Sequence, residues 1–203
     1  MQFKKITANK NSIAQRKLVF GVGINDADYI TQPTVNGKRL LCPYYQKWRA
    51  MIERCYSLKL HEKYNTYKEC LVCIEWLTFS NFKNWMIKQD WHDKHLDKDI
   101  LVQGNKLYSP NTCLFVSGFI NSLLLGNDKS RGKYKIGVIF NDECEKFSAS
   151  FSARGKAVYL GLFETEQEAH EAYKVTKYDY IKKIALEQSD PLRSALINYK
   201  IAD

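Results

Sequence analysis

The sequence predicts an α+β protein in two units: helices with short strands first, then a three-stranded antiparallel sheet with one helix. Three observations predict it. Apolar residues recur at helical spacing from Tyr44 onward; apolar and polar residues alternate in three short runs near the carboxyl end; and the polar, glycine-bearing stretch "GNDKSRGK" at 126 to 133 separates the two patterns, as linkers do. The 203 residues suit two modest cores, and a hydrophobic fraction of 45% with 13% aromatics excludes global disorder.

Residues 1 to about 36 are rich in lysine, polar residues and breakers, so they read as a basic arm with at most a short ordered piece, its first 18 residues outside any domain. "GVGIND" lacks the third glycine and the strand-to-helix setting of a dinucleotide loop, and reads as a turn. Trp48, Met51, Ile52, Cys55 and Tyr56 then recur at i, i+3, i+4, i+7 and i+8, the spacing of one buried helix face. In "SNFKNWMIK" Ser80 is placed to cap a second helix whose apolar stripe is Phe82, Trp85 and Met86. A third helix starts near Ser117 and buries Phe119, Ile120, Leu123 and Leu124. "HLDKDILVQGNKLYSPNTCLFV", at 95 to 116, reads as short strands around a turn.

Beyond the linker, "YKIGVIFND", "KFSASFSA" and "AVYLGLFET" predict an antiparallel meander. Thr165 and Glu168 form a capping box, and Ala169, Ala172, Tyr173, Thr176, Tyr180 and Ile184 line one face of the helix that follows. This unit spans 134–187, and 188–203 form a tail. Along the middle strand Phe147, Ala149 and Phe151 alternate with Ser148, Ser150 and Ser152. The serine face, with Tyr159 on the same side, is flanked by Arg131, Lys133, Lys135, Lys146, Arg154 and Lys156. Small hydroxyls permit close approach and cations meet phosphates, so the face suits double-stranded DNA; the competing reading is an ordinary solvated sheet face.

Charge agrees with a polyanionic partner. Lysine and arginine number 31 against 22 acidic residues, a formal excess of +9. No apolar run approaches the roughly 20 residues needed to span a bilayer, and "MQFKKITANKNSIAQRK" lacks the apolar middle of a signal peptide, which predicts a soluble, cytoplasmic protein without a membrane partner. A reducing compartment keeps the six cysteines as thiols. Cys70 and Cys73 have zinc-knuckle spacing, and Cys55 and Cys113 could complete a structural four-thiolate site; burial as core thiols is the alternative. Asp97 and Asp99 admit two readings as well, a metal-assisted catalytic hairpin or a charged pair flanking a turn and balanced by Lys94, Lys98 and Lys106. Oligomeric state is not legible.

Two resemblances sharpen these expectations. "GVIFNDECEKFSASFSARGKAVYLGLFETEQEAHEAYKVTKYDYI" resembles the AP2 domain, a three-stranded sheet packed on one helix that binds DNA through the sheet. It matches at Gly137-Val138, Lys146-Phe147, Tyr159-Leu160-Gly161, Phe163-Glu164-Thr165, Glu168-Ala169 and Ala172-Tyr173. By position it implies DNA contacts from Ile139, Ser150, Ser152, Ala157 and Tyr159, several of which are arginine in plant members. "WRAMIERCYS", "CLVCIEWLTFSNFKNWM", "LDKDILVQGNK" and "YSPNTCLFV" occur in an order similar to phage-encoded proteins related to HNH homing endonucleases, over residues 19 to 125. That likeness implies a degenerate HNH (ββα-metal) unit: Asp97 and Asn121 as magnesium ligands, Lys98 where a general-base histidine stands, and His95 as a substitute base. A lysine of ordinary pKa near 10.4 is protonated at neutral pH and cannot accept the proton, so Lys98 is expected to meet phosphate as a cation. The functions implied are a magnesium-dependent DNA endonuclease or, with the histidine missing, a catalytically inactive DNA-binding regulator; a viral inhibitor of a host factor is a third class. For a viral protein the compartment is the host cytoplasm.

Overall fold

The computed structural model describes residues 3–124 and 133–201 and has a mixed α+β architecture in two compact units, 1–116 and 117–203. Most of the expected linker, including Arg131, lies outside the described residues. The expected third helix belongs with the second unit rather than the first.

In the first unit a short helix α1 (Lys10–Ala14) and a hairpin of β1 (Thr34–Val35) and β2 (Lys38–Arg39) precede α2 (Pro43–Tyr56) and α3 (Leu58–Lys63). Pro43 opens α2, where its missing amide hydrogen costs nothing, and Tyr45, Trp48, Met51, Ile52 and Cys55 are buried. Strand β3 (Leu71–Val72), α4 (Phe79–Met86), β4 (Lys94–Asp97), β5 (Leu107–Tyr108) and β6 (Leu114–Ser117) follow. The core is aromatic: Trp48, Trp76, Phe79 and Phe82 are fully buried, and the Trp48 indole donates to the Trp76 carbonyl at 2.7 Å, so its one polar atom is satisfied inside. Ser80 is not the cap expected of α4. Thr78 occupies that position, and the Asp26 carboxylate accepts from the Ser80 amide at 2.9 Å, a cap supplied from far along the chain.

Residues 3 to about 36, expected as a basic arm with at most a short ordered piece, contribute to the core. Phe3, Val19, Phe20 and Val22 pack on the aromatic core, and Ala27 and Tyr29 are part of it. The Arg16 guanidinium donates to the carbonyls of Asn25 (2.8 Å), Ala27 (2.6 Å) and Tyr29 (2.9 Å), satisfying a run of backbone that belongs to no sheet or helix. "GVGIND" is the turn expected, with Val19 bridging Gly23 and a Cβ on Gly23 falling 2.9 Å from the Trp48 ring.

The second unit opens with α5 (Gly118–Leu124), where the Ser117 hydroxyl accepts from the Ile120 amide. Strands β7 (Val138–Asn141), β8 (Lys146–Ala153) and β9 (Lys156–Phe163) form an antiparallel meander in that order. It packs on α6 (Glu166–Ala185), whose capping box of Thr165 and Glu168 is present as expected; α7 (Leu192–Ile197) follows. The inner side is Val138, Ala149 and Phe151 against Ala169 and Tyr173 of α6. No helix among the described residues is long and apolar enough to cross a membrane.

Candidate functional site

The loop from His95 to Cys113 is built by its own polar side chains. Strand β4 pairs with β6, and β5 pairs in parallel with β3, so the stretch is not one hairpin. Leu96 faces the core and exposes His95. Asp97 then turns inward: its Oδ1 accepts from the amides of Asp99 (2.9 Å) and Ile100 (2.8 Å), the local bonding by which aspartate fixes a turn. Burial pushes its carboxyl above the ordinary range, the charge of Asp99 adds to this, and the two amides oppose it.

Lys98 corrects an expectation. Its side chain is only 11% exposed, and its ammonium donates to Asp99 Oδ2 at 3.1 Å and to the Asn105 carbonyl at 2.9 Å, beside the Tyr108 ring. Asn105 returns two bonds of 2.7 Å, to the carbonyls of Lys98 and Leu107. Thr112 closes the next turn through the Leu107 carbonyl (2.7 Å) and the Ser109 hydroxyl (2.8 Å). Two of the three N–H bonds of the Lys98 ammonium are thus directed into its own loop. No hydrogen bond joins His95 to Asp97 among the described residues, and Asn121 lies in α5, in the other unit. Around Asp97 the first unit therefore offers one carboxylate engaged with backbone amides and a second engaged with Lys98, a donor set that does not by itself make a magnesium site.

The cysteines are all free thiols. Cys55 lies within electrostatic reach of Cys70 and Cys113; burial pushes Cys55 and Cys113 each up to about 12 and raises Cys70 as well. The Cys70 thiol meets the Thr66 carbonyl at 3.6 Å, whereas Cys73 faces Glu75. The two members of the knuckle pair thus have different surroundings, and no group of three or more His, Cys, Asp or Glu among the described residues could hold a metal ion.

The sheet is a better-formed surface. Register places Ile139 opposite Ser148, Ser150 opposite Tyr159, Ser152 opposite Ala157 and Ser148 opposite Leu162, so these seven residues share the side away from α6. Ile139 is 67% exposed, Tyr159 63% and Leu162 44%. Leu162 was not foreseen. A bulge at Ala149/Ser150 leaves Leu160 unpaired on the core side and brings Leu162 outward. Gly161, with φ of +130°, is the signal that a bulge interrupts the strand.

The flanking cations differ in freedom. Lys135 donates to Gln167 at 2.5 Å, Lys146 pairs with Glu164 at 2.6 Å, and Arg154 lies 4.7 Å over the Phe119 ring. Lys133 lies over the Tyr134 ring at 5.5 Å, and Lys156 is exposed. The Arg154-Gly155 turn, both residues at positive φ, joins β8 to β9 with two residues and carries Arg154 and Lys156. At the other end of β8, roughly 23 Å away at strand rise, the β7–β8 turn carries Asp142, Glu143 and Glu145. The sheet is thus basic at one end and acidic at the other. Charge is also divided between the units: 18 basic and 10 acidic residues lie in 1–116, but 13 and 12 in 117–203, so eight of the nine excess positive charges belong to the first unit.

Two buried groups of α6 also escaped the sequence. His170 is buried, its Nδ1 bonded to the Ile136 carbonyl at 3.0 Å and its Nε2 without a partner. Lys177 is buried with its ammonium 5.8 Å from the Tyr173 ring, and burial lowers its pKa. Both polar residues were discounted in a reading of apolar periodicity.

Comparison with protein-family models, with curated proteins and with solved structures gave no match in any of the three.

Proposed function

We propose that this chain is a duplex-DNA-binding protein of the regulatory rather than the cleaving kind. The lysine-rich first unit supplies attraction to phosphate, and the outer face of the β7–β8–β9 sheet meets the bases. The observation that carries this reading is the outer face itself: three serines, Ala157, and exposed Ile139, Tyr159 and Leu162 on a narrow ribbon. The resemblance to AP2 and HNH-related phage proteins agrees with such a partner. A nuclease would ask Asp97 and Lys98 for roles from which their bonding withdraws them, because both side chains fold the loop that contains them.

The test is fluorescence anisotropy of the full chain with a labelled duplex over a range of salt. A complex that weakens steeply with salt is expected, about 0.9 decades per decade of salt for each phosphate neutralised. Ser150→Glu with Ser152→Glu should abolish it by placing anions on the face. Absence of a complex in dilute buffer would overturn the proposal, and magnesium-dependent nicking of plasmid that disappears in Asp97→Ala would restore the nuclease.

A further inference from the structure

Resting on the DNA-binding reading, we propose that the sheet selects its sites through the 5-methyl groups of thymine rather than through hydrogen bonds to purines. The inference comes from what the face presents. Purine readout in the major groove uses bidentate partners, arginine or lysine on guanine and asparagine or glutamine on adenine. Asn141 and Lys146 end the strands on this side, and both are occupied: the Asn141 side-chain oxygen accepts from the Glu143 amide at 3.0 Å, and the Lys146 ammonium is held by Glu164. Neither arginine, asparagine nor glutamine lies elsewhere on the outward positions of the three described strands.

What does face outward divides into two kinds. Ser148, Ser150 and Ser152 can donate or accept, so a hydroxyl fits the edge of any base pair and discriminates little. Ile139, Ala157 and Leu162 offer carbon, and Tyr159 an aromatic ring that ends in a hydroxyl. The apolar feature of a base edge in the major groove is the thymine methyl, and it distinguishes A·T from G·C and one strand from the other. Ile139 and Tyr159 are more exposed than Leu162 and lie on β7 and β9 either side of the serine strand, so two methyl contacts would flank a polar centre. Arg154 and Lys156, at the hairpin end of the sheet, can hold phosphate without specifying sequence.

The decisive comparison is between duplexes that differ only in that methyl. Anisotropy titrations of the full chain would use an A·T-rich duplex made with thymidine, the same duplex made with deoxyuridine, and a G·C-rich duplex made with cytosine or with 5-methylcytosine. The thymidine duplex should bind more tightly than its deoxyuridine twin by about fourfold for each methyl buried, and 5-methylcytosine should likewise exceed cytosine. Ile139→Ser and Tyr159→Ser should bring the thymidine-to-deoxyuridine ratio toward one while leaving the melting temperature unchanged. Equal affinity for the twins, with binding intact, overturns methyl readout and leaves the DNA-binding reading standing. A preference that survives both substitutions also overturns it, by assigning the effect to duplex shape. Failure to bind any of the four duplexes removes both readings.

Discussion

Asp97 holds two backbone amides with one oxygen while sitting mostly out of water beside a second carboxylate, so its charge and its geometry pull in opposite directions. The two can be separated by substitution. Asp97→Asn keeps the acceptor and removes the buried charge; it should leave stability at neutral pH unchanged or higher. Asp97→Ala deprives two amides of their partner and should cost about 1–3 kcal/mol for each one left unsatisfied. Because the folded state raises this pKa, the protonated form is favoured by folding. The associated stability is therefore fully present below the ordinary carboxylate value and lost as pH rises through the raised folded value. Chemical denaturation of wild type and Asp97→Asn from acid to neutral pH should show this component only in wild type. Residue types at this site were legible, since aspartate before a Gly-Asn turn announced either a turn or a ligand. Direction was not: nothing in "LDKD" tells that Lys98 points inward to the Asn105 carbonyl, because that bond closes across a loop of seven residues.

The β7–β8–β9 meander shows at the level of elements how a local rule succeeds and then slips by one residue. Alternation along β8 sorted serines from phenylalanines correctly, and the two-residue Arg154-Gly155 turn fixed the hairpin. A strict period of two carried past Tyr159 would put Leu162 inside; the bulge reverses that, and Gly161 was the available hint. In α6 the buried stripe is Ala169, His170, Tyr173, Lys177, Ile181, Ile184 and Ala185, a regular helical spacing concealed by two polar members. The expected stripe found Ala169, Tyr173 and Ile184 but included Ala172, Thr176 and Tyr180, which are half-buried. The sheet and helix meet most tightly where Gly137, at φ +80°, lies under Tyr173: a Cβ there would fall 2.2 Å from the ring. Gly137→Ala should lower the stability of the second unit by about 2–4 kcal/mol, combining a left-handed backbone with overpacking, and a thermal melt would register it.

At the scale of the whole molecule, composition discloses the positive excess but not its location, because a total does not say where along the chain the charges fall. With the boundary at 116/117 the sheet-bearing unit is almost neutral, and long-range attraction falls to the other unit. Lys59→Gln, Lys68→Gln and Lys88→Gln, all exposed positions of the first unit, should each reduce the salt slope of DNA binding by up to about one where the lysine meets a phosphate. Lys182→Gln and Lys183→Gln on α6 should reduce it less, and an equal effect from both sets would divide the attraction between the two units. A different cation, Arg16, clasps three carbonyls and with the Thr7–Tyr29 bridge organises residues 25 to 29 of the first unit. A shortened chain beginning after this arginine would leave those carbonyls bare and take Phe3 from the Tyr29 ring, so the opening residues act as a keystone for the segment that follows them.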